Sequence, residues 1–210
     1  MRWLSRAALV LAIAAAFALA FALTPPRGPR SLRQFDPDRL ASLEIRIWQA
    51  DVSRQQLRHV SLVAAMVRQR YHYSWAMAAL EAWRLERAAS AFDRRTDGEA
   101  LSDLETAYEA LRAWTGAGFD PRAVARAELA WWQARRVPGN NAEPIGALIA
   151  DEYAQLYDSS RERMAAAALL RAQAMALRDA HAAAPDWSAV TRLLQESWRE
   201  LQMALASANV

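Results

Sequence analysis

Two glutamates are the residues most open to chemistry. Glu44 is flanked at helical spacing by Leu40, Ile47 and Trp48, and Glu128 by Val124, Trp131 and Trp132. Positions i−4, i+3 and i+4 share a helix face with i, so each carboxylate projects from an otherwise apolar surface. A carboxylate placed there must find a partner, because burying it alone is costly. One arrangement brings the two glutamates face to face, sharing a proton or a metal ion. The other gives each its own donor, an arginine or a tryptophan N–H, and uses it to fix helix register. The abundance of arginine favours the second.

Other chemistry has little to stand on. His59, His72 and His181 fall in neither Glu-x-x-His nor His-Glu-x-x-His spacing, so no metal and no cofactor is expected. The chain has no cysteine and no lysine, which removes thiol chemistry, Schiff bases and phosphate-loop lysines. Gly-x-Ser-x-Gly and glycine-rich phosphate loops are missing. Asp151-Glu152 reads as an ordinary helix start, and Tyr71-His72-Tyr73 as partly exposed packing at a helix end.

Tryptophan is the other unusual residue, with nine in the chain. Most fall on predicted apolar faces, where they fill space between alanine-rich helices or line a groove for a partner, since Trp and Arg are common interface anchors. The segment from Trp131 to Asn141 joins Trp131 and Trp132 to Arg135, Arg136 and Asn140 at a helix end. With Glu44, Trp48 and Glu128, these complete the candidate ligand- or partner-binding residues.

The elements that must position them are helical throughout. Beyond Gln34 no alternating β-branched run occurs, and Gly and Pro serve as punctuation. Asp36-Pro37 predicts a long first helix reaching His72, and Ser74 caps a second to about Arg95. Thr96 and Glu99 form a capping-box pattern before a third that ends at Gly116 and Gly118. Asp120-Pro121 opens a fourth to Arg136, Pro144 lies near the start of a fifth, Asp158 or Ser159 caps a sixth, and Asp186 a seventh.

An internal repeat runs through this array. At an offset of 84, eight of the sixteen positions 35–50 are identical in 119–134, including Phe-Asp-Pro, the glutamate and Trp-Gln-Ala. Tyr73-Ser74 falls on Tyr157-Asp158 at the same offset. The expected fold is all-α, about seven helices in two pseudo-repeats of three-helix units, 35–118 and 119–210. In the second unit the long first helix is split at Val137–Pro144.

Ahead of this body, Ala7–Leu23 is an unbroken apolar run between Arg2, Arg6 and Thr24-Pro25-Pro26. Residues 1–23 read as a transmembrane signal anchor, with a cleaved signal peptide as the alternative. Residues 24–34 read as an extended Pro/Arg-rich linker leaving the membrane. The charge of the whole chain, +3, misleads. Five of its 26 basic residues and none of its 23 acidic ones precede Phe35, so the body carries 21 against 23, a net −2. Counterion release needs concentrated positive charge, and nucleic-acid binding is therefore not expected of the body. The expectation is an interaction or scaffold module, tied to a bacterial inner membrane through residues 7–23 and facing the periplasm, with a protein partner. The alternatives are a binder of a small apolar ligand between the halves and a carboxylate-based enzyme.

Overall fold

Helix starts follow the capping residues. The computed structural model describes residues 2–28, 30–137, 141–182 and 184–206, with side chains from Leu11 onward. Among the described residues nine helices form and no strand: α1 (Arg2–Leu23), α2 (Pro37–Val52), α3 (Gln56–Tyr71), α4 (Trp75–Asp93), α5 (Asp97–Thr115), α6 (Pro121–Arg135), α7 (Ala142–Tyr157), α8 (Arg161–Ala180) and α9 (Trp187–Ala206). Asp36 and Asp120, each before a proline, accept the N–H groups of Arg39 at 3.1 Å and Arg122 at 3.0 Å. Ser74 and Ser160 accept those of Met77 and Arg163, both at 3.3 Å. Such a cap contributes about 1 kcal/mol to its helix. Thr96 also precedes a helix, but it caps no N–H; its hydroxyl donates to the Ala91 carbonyl at 2.9 Å, and the expected capping box does not form.

The body holds eight helices, not the expected seven, because the long first helix is two. The stretch 36–72 breaks between Val52 and Gln56, where Arg54 takes a left-handed φ of 54°. The N–H groups of Ser53 and Gln55 close the end of α2 onto the carbonyls of Gln49 and Ala50, at 3.0 and 2.8 Å. No glycine or proline marks this turn. A single helix over 36–72 would extend about 55 Å, roughly twice the length of its neighbours, and would leave one end without a wall to pack on. Leu57, just past the break, is 91% exposed.

The eight helices close on themselves. Each of α2 to α9 packs on the next in alternating directions, and α9 returns to pack on α2. Four helices, α2 to α5, fall within 35–118 and four, α6 to α9, within 119–210, where three-helix units were expected. Asp36 and Asp120 cap the first helices, His72 and Asp158 end the second ones in left-handed conformations (φ 56° and 47°), and Ser74 and Ser160 cap the third. The fourth helices carry Tyr108 and Trp198, both buried. The backbones of α7 and α8 approach closely: a Cβ on Gly146 would meet the Leu169 Cα at 3.0 Å. Ala167, Ala168, Ala172 and Ala174 of α8 are buried, so small side chains let this wall pack tightly.

The N-terminal segment departs from expectation. Among the described residues no helix is long and apolar enough to cross a membrane, so the predicted spanning helix is not supported. Side chains of α1 are described from Leu11 to Leu23. In this stretch Leu11, Phe17, Leu19 and Phe21 are 60–73% exposed, and α1 lies against the body at α4. Residues 24–34 do not trail away as a free linker. Leu32 and Phe35 are buried, the Arg30 guanidinium lies 3.7 Å from the Trp114 ring centroid, and Arg33 donates to the Tyr157 carbonyl at 2.7 Å. This strap crosses the end of the ring where α3, α5 and α7 finish, and arginine there meets the exposed carbonyls that end a helix.

Candidate functional site

Ring closure brings one polar face from each of seven helices to the centre. Glu44 on α2, Arg70 and Tyr71 on α3, Glu81 on α4, Tyr108 on α5, Glu128 and Trp131 on α6, Glu152 on α7 and Arg171 on α8 line a cavity of about 230 Å³. Trp48, Ile47, Val63, Met66, Val67, Leu85 and Leu111 supply its apolar wall.

Glu44 and Glu128 therefore reach the same space, each with its own donors. Glu44 is 2% exposed; its Oε2 accepts from the Trp198 indole N–H at 2.7 Å, and its Oε1 lies 2.7 Å from Nη2 of Arg171. Both kinds of donor expected of the register-fixing arrangement are present. Glu128 accepts instead from the Tyr108 hydroxyl at 2.7 Å. The two bonds correspond: the fourth helix of each half reaches the first helix of the other, Trp198 to Glu44 and Tyr108 to Glu128.

Burial and the neighbouring Glu152 charge push Glu128 up to about 8, against the pull of Tyr108, Arg171 and Arg70. Burial raises Glu152 too, opposed by Arg171, by the Trp131 N–H (which donates to its Oε2 at 2.6 Å) and by Arg70. Glu81 is pushed up to about 7 by burial, although Arg84 lies 3.2 Å away. The Tyr108 hydroxyl is held well above its usual range by burial and by Glu128 and Glu152. Arg70 donates to the Tyr157 hydroxyl at 2.5 Å and lies 5.1 Å from the Trp198 ring centroid. The interior thus holds three carboxyl groups, Glu81, Glu128 and Glu152, whose hold on a proton burial strengthens, together with two guanidinium groups that remain charged.

The other sequence-derived candidates divide. Trp48 lines the cavity, with the Arg178 guanidinium 4.7 Å from its ring centroid. Trp131 lines it as well. Trp132 points elsewhere, packing edge-on against Phe92 at 5.2 Å. Arg135 pairs with Asp179 at 2.6 Å and Arg136 with Asp97 at 2.9 Å, and Arg136 also donates to the Phe92 carbonyl. These internal ion pairs occupy the charges expected to meet a partner at the Trp131–Asn141 corner. Asn140 lies outside the described residues.

Sequence reasoning missed Glu152, Arg171, Arg70, Tyr71 and Glu81. Glu152 lies in the middle of α7, not at a helix start. Arg171 interrupts the run Met164–Leu177, otherwise almost all alanine, leucine and methionine, and a lone charge in such a run was the available sign of a buried ion. In the Tyr71-His72-Tyr73 cluster Tyr73 is buried at 1% exposure, while Tyr71, which lines the cavity, and His72 are partly exposed as expected. Among the described residues no three His, Asp or Glu side chains are placed to hold a metal ion. Comparison with protein families, curated proteins and solved structures gives no match.

Proposed function

We propose that this protein binds a small molecule inside its ring of helices. The observation that carries the reading is the central cavity with Glu44, Glu81 and Glu152 buried at its wall and Glu128 facing it. A buried ion pair is often no better for stability than apolar side chains of the same volume, so stability alone gives no reason to gather four carboxylates around a void. Titratable groups displaced by burial and by specific neighbours, converging on a cavity, are what a binding site requires. An engineered apolar cavity of about 150 Å³ accepts benzene, so one of 230 Å³ suits a ligand of about ten non-hydrogen atoms. The body is read as two copies of a four-helix unit, and the ligand sits where the copies meet. The apolar run 7–23 is read as holding this binding body at a membrane, on the periplasmic side in a bacterium.

A thermal-shift screen with small amphipathic compounds of that size tests the reading. Compounds that fit raise the melting temperature of the wild type and leave Val63→Phe, whose larger side chain fills the cavity wall, unmoved. No shift with any compound, or equal shifts in both proteins, overturns it.

A second reading, an interaction module with a protein partner, rests on the outward face of α3 and α4. There Leu57, Leu80 and Trp83 are 91, 47 and 51% exposed. Apolar surface of that kind is what partners cover. Loss of a co-purifying protein in Trp83→Ala, with the fold unchanged, supports it; an identical set of co-purifying proteins removes it.

A further inference from the structure

The cavity wall is not electrically balanced. Of its four carboxylates, Glu44 lies against Arg171 and Glu81 against Arg84. Glu128 and Glu152 meet only neutral donors at hydrogen-bond distance, Tyr108 and Trp131, each at Oε2. Tyr108 serves Glu152 as a donor as well, so the two carboxylates share one phenol, and Glu152 is only 7% exposed. The remaining guanidinium, Arg70, is taken up by the Tyr157 hydroxyl and the rings of Tyr71, Tyr157 and Trp198. Arg171 and Arg70 act on Glu128 and Glu152 only from a distance, so three guanidinium groups face four carboxylates and one negative charge is in excess when all four are ionised.

We propose that the ligand is a small organic monocation, an amine or a quaternary ammonium, whose charge sits between Glu128 and Glu152 against the rings of Tyr71, Tyr108 and Trp131. The inference rests on the reading of the cavity as a ligand site and adds the charge of the ligand. An aromatic face attracts a cation by its quadrupole, and the attraction grows once water is excluded. In the empty protein the excess charge is carried by a proton, because burial and Glu152 raise the affinity of Glu128 for it. A bound cation takes over that role, and the proton leaves to solvent. The groups that decide this exchange come from every wall facing Glu128. They are Tyr108 on α5, Glu152 on α7 and Arg171 on α8, with Arg70 and Tyr71 on α3, Glu44 on α2 and Glu81 on α4 across the cavity. An anion meets the opposite field, since both arginines of the wall are already engaged.

The sign of the pH effect follows. Below the value at which Glu128 gives up its proton, a cation must displace it, so affinity climbs by up to about tenfold for each pH unit; above about 8 it levels off. The test is calorimetric titration of the full chain with four probes sharing one ring: benzyltrimethylammonium, benzylamine, benzyl alcohol and benzoate. Both cations bind at pH 8.5 about tenfold or more tighter than the alcohol, and benzoate is rejected. The quaternary ion, which cannot titrate, binds more tightly at pH 8 than at pH 6, and at pH 7 releases about one proton, read from two buffers of different ionisation enthalpy. Glu128→Gln flattens the pH dependence and costs about tenfold in cation affinity, while the alcohol binds as before. Should that variant fail to fold, the wild-type pH series and proton count decide alone. Benzyl alcohol or benzoate binding as tightly as the cations, or affinity indifferent to pH, overturns the cationic assignment and leaves the ligand site standing. Binding of none of the four overturns the ligand site itself, and the charge assignment with it.

Discussion

Glu44 and Glu128 align at the sequence offset of 84 yet meet different partners. Glu44 has a guanidinium and an indole N–H within 2.7 Å. Glu128 has only a phenol and a like-charged neighbour, so it is the group that titrates. The distinction predicts opposite consequences for removal. Glu44→Ala leaves Arg171 buried without its counter-ion, and unmatched buried charge of that kind costs about 3 kcal/mol or more. Replacing both, Glu44→Leu with Arg171→Met, restores most of the loss because no lone charge is left. Urea unfolding of the three proteins checks this; equal destabilisation by the single and double substitutions would show that the pair matters only through packing. That carboxylates would project from apolar faces was legible in the spacing of Leu40, Ile47 and Trp48. Which donor each would find was not, because Trp198 and Arg171 are brought to Glu44 by ring closure, far along the chain.

At the scale of the helix, the caps were the clearest signal and the α2–α3 turn the faintest. Asp36-Pro37, Ser74, Asp120-Pro121 and Asp186 all mark starts where the side chain accepts a backbone N–H, a local interaction that sequence can carry. The turn at Ser53–Gln55 has Ser53 but neither glycine nor proline, and Arg54 adopts its left-handed conformation because α3 must fold back along the wall. The sign in the sequence was a lapse of the apolar stripe over 51–56, which a long amphipathic helix would not contain. A left-handed conformation costs a residue bearing a Cβ roughly 1 kcal/mol, and the Arg54 side chain is exposed. Arg54→Gly is therefore expected to stabilise the protein by up to about 1 kcal/mol, where glycine inside a helix would cost about as much. Thermal denaturation measures it, and a lowered midpoint would mean that the turn is not strained.

For the whole molecule, the contacts that close the ring join the stretch 35–118 to the stretch 119–210. The fourth helix of each half closes onto the first helix of the other, so α5 packs on α6 and α9 on α2, and neither half has a wall of its own at both edges. Covalently the halves are joined only through Gly116–Asp120. If packing rather than that connection holds the ring, 24–118 and 119–210 produced as separate chains reassemble into a one-to-one complex. Each half alone lacks the donor its own glutamate needs: the first has Glu44 without Trp198 and Arg171, the second has Glu128 without Tyr108. Each also exposes the apolar edges of two helices, so alone it is expected to unfold or self-associate. In the complex, tryptophan emission and the cavity's response to cations return together, because Trp48 and Trp131 belong to one wall drawn from both chains. Two halves that each fold as stable monomers, and do not associate when mixed, would show that the ring is a pair of bundles lying side by side, and that the space between them is a seam and not a site.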